Sequence, residues 1–203
     1  MLNGGRRWPG ESGGLDARGG AGVDSEAMSQ HTEFRRLRDD EEPLGYQVLE
    51  DTIIWQRVKG IMLWDRTLPR ETYLERQRRG ENCGLFVDGD LAAVVSLVAG
   101  VPDYWRAQVD DPGATWLCTL AVAEGFHGRG IGEIAMREAV AFLQASGRPA
   151  VWLDCKEGFL SRFYEAMGFE AVTQQRRHIP HAGGELDCVL FRKLLSQKNG
   201  KKC

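Results

Sequence analysis

The chain has 203 residues, 42% of them apolar and 27% charged, which suits one domain with a sizeable core and leaves little for a second. A formal charge of −3, from 26 basic and 29 acidic side chains, creates no strong field of either sign, so neither nucleic acid nor an anionic membrane is expected as a partner. The five cysteines form no CxxC pair and their odd number argues against a closed disulfide framework, which fits a reducing, cytoplasmic setting. The longest apolar run, residues 91–101, falls far short of the roughly 20 residues that span a bilayer. No apolar stretch follows Arg6 and Arg7, so the start does not read as a secretory signal.

Residues 1–27 hold eight glycines and almost nothing to bury, and are expected to be disordered. Structured composition begins at Met28, read as the natural start, and a single domain is expected over residues 28–195 with a mobile tail at 196–203. Phe34 to Arg38 is a weak candidate strand. From Asp51, residues Ile54, Val58, Ile61 and Met62 recur at helical spacing, with Asp51 or Thr52 as N-cap. A second helix follows in "TLPRETYLERQRRG", with Pro69 near its first turn and Gly80 at its C-terminal cap. "GLFVDGDLAAVVSLV" carries two β-type runs around Asp88-Gly89-Asp90, a hairpin signal.

An irregular segment with Pro102, Tyr104, Trp105 and Pro112 leads to "TWLCTLAV", a buried strand. The turn after it places Gly125, Gly128, Gly130 and Gly132 within eight residues, and a helix with apolar positions Ile131, Ile134, Ala135, Ala139, Phe142 and Leu143 leaves it. "AVWLDC" is a further strand, "FLSRFYEAM" a short helix ended by Gly168, and "FEAVTQQRRHI" with "ELDCVLFRKLL" a terminal strand pair. The order of elements implies a mixed α/β (α+β) fold.

Glycines let backbone amides approach an anion, and the helix N-terminus adds its own orphan N–H groups, so this turn suits a phosphate. No GxxxxGK[ST] is present, which removes the ATP-type loop. Gly130, Gly132 and Ala135 satisfy GxGxxA and Asp154 lies about 20 residues on, where a dinucleotide's ribose-binding acid would sit. Against a nicotinamide enzyme, Ala123 to Arg129 separate the strand from the glycines, and too little chain follows Asp154 for further strand and helix units.

Taken together, "LAVAEGFHGRGIG", "WLDC" and "FYEAMGFE" resemble the GNAT superfamily of acyl-CoA-dependent N-acetyltransferases, over roughly Leu85 to Leu195. The resemblance implies a mixed central sheet with flanking helices and acetyl-CoA as co-substrate. It assigns the CoA pyrophosphate to the amides of His127, Gly128, Arg129, Gly130, Ile131 and Gly132, and the pantetheine arm to the backbone edge of Leu120, Ala121 and Val122, paired like an added strand. Two positions depart from the family pattern: His127 stands where an Arg or Gln is usual, and Glu157 where many relatives have an Asn. Tyr164, in "FYEAMGF", takes the place of the tyrosine that protonates the departing thiolate, a task that suits a phenol; an ordinary packed tyrosine is the alternative.

The implied reaction is direct attack of an amine on the thioester within a ternary complex. It needs an acceptor for the amine proton, a donor for the oxyanion, for which a backbone N–H near Val122 could serve, and an acid for the thiolate. Asp154 is the best-placed base, with a structural carboxylate as the equal alternative; Glu124 is a weaker candidate, and a water chain could replace either. By the resemblance, Trp64, Tyr104 and Trp105 lie in or near segments that border the acceptor pocket, Tyr104 and Trp105 being the stronger candidates, with core packing as the alternative for each. Cys118 and Cys155 have no histidine arranged beside them in sequence and read as small buried residues. His178 and His181 form an HxxH across Pro180 with no third ligand, so no metal is assigned. The expected partner is a small-molecule amine, with a homodimer kept open as an assembly; a non-catalytic acyl-CoA sensor is the rival reading, prompted by His127 and Glu157.

Overall fold

A computed structural model describes residues 31–61, 63, 64, 67–179 and 184–195. The expectations for residues 1–27, Met28, the tail at 196–203, Met62, and the His178/His181 side chains lie outside what it describes. Seven strands form one sheet in the order β1-β2-β3-β4-β5-β7-β6, with four α-helices on its two faces among the described residues. No helix among these residues is long and apolar enough to cross a membrane.

The first strand, β1 (Thr32–Arg36), forms at the sheet edge where a weak strand was expected. The first helix differs from expectation: α1 spans Glu42–Lys59, beginning nine residues before Asp51, with a proline in its first turn. Asp51 and Thr52 are therefore not caps; Asp51 accepts from Gln47 Nε2 at 2.9 Å, and the Thr52 hydroxyl donates to the Val48 carbonyl at 2.8 Å. Its buried face is Tyr46, Val48, Leu49, Ile53 and Gln56, whereas the expected apolar stripe points outward, with Ile54 59% and Val58 78% exposed. Gly45 explains the missed first turns. It reads as a helix breaker, yet a Cβ there would collide with the Tyr73 hydroxyl, so glycine is what allows α1 to close on the next helix. That helix, α2 (Arg70–Arg78), follows Pro69 and ends beside Gly80 at φ +65.

Strands β2 (Asn82–Val87) and β3 (Asp90–Ala99) form the expected hairpin; Asp88 at φ +51 and Gly89 at φ +93 are the two left-handed residues of a type I′ turn. β4 (Thr115–Val122) pairs antiparallel with β3, and α3 (Ile131–Ala145) leaves the glycine turn. β5 (Ala150–Lys156) lies parallel to β4, and α4 (Phe159–Ala166) precedes β6 (Glu170–Ile179) and β7 (Gly184–Leu194). β7 inserts between β5 and β6.

One face of the sheet is covered by α1 and α2 through Leu49, Tyr73, Phe86, Leu91 and Val94, and further along by Trp105, Trp116, Trp152 and Leu190. The other is covered by α3 and α4, through Ile131, Ala135, Met136, Ala139, Leu143 and Tyr164 against Leu85, Val95, Leu117, Val151 and Leu153. With both faces covered, every residue of β2 is buried.

Candidate active site

Strands β4 and β5 pair only at Thr115↔Val151 and Trp116↔Trp152, and then part. Two features drive them apart. β4 carries an extra residue at Thr119–Leu120, since Ala121 pairs with Val94 and Cys118 with Ser96, and Thr119 sits at φ +60. A β-branched residue in the left-handed region costs of order 1 kcal/mol, a strain that marks functional backbone more often than packing. β5, meanwhile, follows β7, to which it pairs over its full length from Ala150↔Leu194 to Lys156↔Cys188.

The parting opens a cavity of about 560 Å³ that passes between the strands and is lined from both faces of the sheet. Side chains alternate along β5, so Trp152 and Asp154 face the α1/α2 side, while Val151, Leu153 and Cys155 face α3 and α4. Asp154 thus enters the cavity from one face and Tyr164, on α4, from the other.

Burial pushes the Asp154 carboxyl up from 3.8 to about 6, against the downward pull of the Trp105 Nε1–H, which donates to Oδ2 at 3.0 Å. Such an acid is ionised at pH 7 yet basic enough to take a proton. Tyr164 is 8% exposed, its ring wedged among Phe163, Phe169 and Phe191. Burial, with Cys155 and Asp154 adding to it, raises its phenol above the usual range, so it remains a proton donor.

Of the expected acceptor-pocket residues, Tyr104 lines the cavity, and burial together with Asp154 raises its phenol. Trp105 does not. It is fully buried against Trp116, Trp152 and Leu190, and its indole serves Asp154 instead of a substrate. Glu124 is exposed and does not line the cavity, so it is not placed to act as base. Glu157 also points elsewhere, accepting from Gln174 Nε2 at 2.7 Å beside a smaller cavity of about 210 Å³. Cys118 and Cys155 line the main cavity, their thiols raised by burial.

In the glycine turn, Gly128 and Gly130 lie at φ +75 and φ +73, and a Cβ on either would meet nothing within 4 Å. The amides of Gly128, Arg129, Gly130, Ile131 and Gly132 donate to no other described residue, the arrangement an anion needs. His127 differs from the expectation. Its amide is committed to the Glu124 carbonyl at 3.2 Å, its Nε2 lies 2.8 Å from the Val122 carbonyl, and its ring packs on Trp55 with centroids 4.5 Å apart. A carbonyl only accepts, so Nε2 carries the hydrogen in that contact. The side chain braces the end of β4 and is not directed at the turn's amides. The Ala123 amide donates to Ala92 on β3, so strand alternation turns the Val122 N–H the other way, toward the gap.

Several lining residues escaped the sequence reading. Thr52, Trp55 and Gln56 come from α1, and the Gln56 Oε1 accepts from the Leu63 and Trp64 amides at 3.0 and 3.1 Å, fixing the segment after α1 over the cavity. Arg76 comes from α2. Its position three after the fully buried Tyr73, on the same helix face, was the available signal.

The profile of the acetyltransferase (GNAT) family matches residues 46–169. Over 77 residues the chain is 27% identical to the "[Ribosomal protein bS18]-alanine N-acetyltransferase" of Salmonella typhimurium, 37% of this chain and 52% of that protein, so it spans about half the length of that relative. Among solved structures, a GNAT-family acetyltransferase from Listeria monocytogenes superposes with a TM-score of 0.68 at 20% identity, covering 81% of this chain and 95% of that one. The ribosomal-protein-S18-alanine N-acetyltransferase of Escherichia coli gives 0.60 at 19% identity, over 85% of this chain and 99% of that one. With that match across more than half its length, around the same turn, strands and Tyr164 helix, the chain belongs to the GNAT family of acetyltransferases.

Proposed function

We propose that the chain transfers an acetyl group from acetyl-CoA to an amine by direct attack. The observation that carries this reading is the cavity between β4 and β5, which joins an ionised Asp154 from one sheet face to a protonated Tyr164 from the other beside the bulged β4 edge. The free amides of Gly128 to Gly132 fit a pyrophosphate, and the β4 edge at Leu120 to Val122 fits an extended pantetheine arm. When bound, acetyl-CoA supplies a thioester activated toward amines.

The chain's own groups then divide the proton work. Asp154 takes the proton that the amine loses as its nitrogen bonds to the acetyl carbon. The Val122 N–H donates to the carbonyl oxygen as negative charge gathers there, and Tyr164 gives its phenolic proton to the sulfur as the carbon–sulfur bond breaks.

The acceptor is first a small amine. A second reading is the α-amine of a protein N-terminus, favoured by the names of the Salmonella and Escherichia coli relatives. The deciding experiment measures CoA release from acetyl-CoA across small amines and alanine-initiated peptides. Tyr164→Phe keeps the packed ring and is expected to lower kcat by roughly 100-fold with CoA affinity intact. CoA binding with no turnover on any amine would instead support the sensor.

A further inference from the structure

We infer that Arg76 is the site's recognition residue for a carboxylate on the acceptor, so that the acceptor is a small amino acid-like molecule carrying both an amine and a carboxylate; this rests on the transferase reading above. The α2 segment contains arginines at 70, 76, 78 and 79, and three of them sit against carboxylates: Arg70 with Glu42 at 2.8 Å, Arg78 with Glu71 at 3.5 Å, and Arg79 with Glu81 at 3.1 Å. Arg76 forms no ion pair with a described residue and turns into the cavity, half-buried.

Its one partner there among the described residues is neutral. Nη1 donates to the Thr119 hydroxyl at 3.0 Å, on the residue at φ +60 in the β4 bulge. The bulge therefore does more than part the strands; it presents a hydroxyl that fixes the guanidinium at the cavity wall. A guanidinium has five N–H donors in a planar fork matched to a carboxylate, and among the described residues one of them is used here. Withdrawing such a charge from water without an anion is costly, and a bound carboxylate offsets that cost.

The complementary group stands across the gap. Trp116 pairs with Trp152, so Cys118 and Asp154, two residues on in each strand, lie at one level, with Thr119 the next residue along β4. Tyr104, lining the same cavity, feels both groups, Asp154 raising its phenol and Arg76 lowering it. Asp154 attracts and deprotonates an ammonium, and Arg76 holds a carboxylate a few bonds away. A polypeptide N-terminus carries an amide next to its amine and lacks that second charge, which sets this acceptor class apart from a protein α-amine.

The test compares wild type, Arg76→Gln and Arg76→Lys, full length, on free α- and ω-amino acids, their carboxamides and alanine-initiated peptides. CoA release gives kcat and KM, and the shift in melting temperature with CoA present gives binding without chemistry. The expected result is turnover of one or more free acids, with KM roughly 10- to 100-fold higher for the matching carboxamide and a similar rise for the acid in Arg76→Gln, little change in kcat, and partial rescue by lysine. An acid-to-carboxamide KM ratio near one, preferred turnover of peptides, or an unchanged ratio in Arg76→Gln overturns the assignment and leaves the transferase reading standing. Acid-specific stabilisation lost in Arg76→Gln, with no CoA release on any amine, upholds the assignment and overturns the transferase reading. If no acid is stabilising and none is turned over, the Arg76 assignment falls.

Discussion

Removing the indole donor while keeping an aromatic ring, by Trp105→Phe, isolates the 3.0 Å bond that Nε1–H gives to Asp154 Oδ2. A hydrogen bond to a charged group is worth about 1.5–3 kcal/mol, and one pKa unit is 1.36 kcal/mol, so its loss moves the carboxyl up by about 1–2 units. Starting from about 6, the Asp154 pKa in the variant is then expected at roughly 7–8. For a shift of about 1.5 units the ionised fraction at pH 6.5 falls roughly eightfold, while at pH 9 both proteins hold the base ionised. The assay is kcat/KM for CoA release from pH 5 to 9, with CoA affinity and melting temperature as controls, since the smaller ring leaves a void at a fully buried position. An acid limb that stays in place, or moves to lower pH, in a folded variant refutes the role given to Trp105. A limb of the same midpoint that persists in Asp154→Asn assigns it to another group and removes Asp154 as the base.

Other outcomes follow from the same geometry. A carboxyl raised from 3.8 to about 6 by burial contributes stability that is present below pH 3.8 and lost as pH rises through 6. Asp154→Asn is therefore expected to be inactive yet more stable than wild type at pH 7.5, by of order 1–3 kcal/mol in denaturant melts, with the gain vanishing toward pH 4; equal stability at pH 7.5 counts against the burial argument. In the glycine turn, Gly130→Ala forces a side chain onto φ +73, at a cost of about 1–2 kcal/mol and a weaker CoA affinity by titration calorimetry. At Gly132 a new Cβ meets only Val122 Cγ2, at 3.7 Å, so Gly132→Ala is expected to leave CoA binding within about twofold.

Much of the fold was legible because local signals and tertiary structure agree. The Asp88-Gly89 turn requires two positive φ values, and the residues that tolerate them stand there. β4 matches "TWLCTLAV" because a strand covered on both faces reads as a continuous apolar run. α1 failed where tertiary contact overrode propensity: Gly45 is tolerated for its approach to Tyr73, and the Ile54/Val58 stripe is exposed because buried Gln56 and Thr52 occupy the inner face. At the site, Tyr164 and Asp154 each belong to a short motif and could be found alone. What pattern could not supply was their meeting from opposite faces, which depends on how far β4 and β5 part, or the turning of Arg76 and the Trp105 indole, which depends on elements 43 and 49 residues away in the chain.

The strand that carries Asp154 is tied to β4 by two residue pairs and to β7 by seven. β5 therefore has few pairs on its β4 side, and its register rests on long-range pairing with residues 184–194 of β7, which pairs on its other side with β6. Without β7 the chain keeps its glycine turn and its tyrosine helix but has no fixed place for the Asp154 carboxylate. A truncation within β7 is therefore expected to disturb the site first, before the hairpin of β2 and β3 or the helices packed on it.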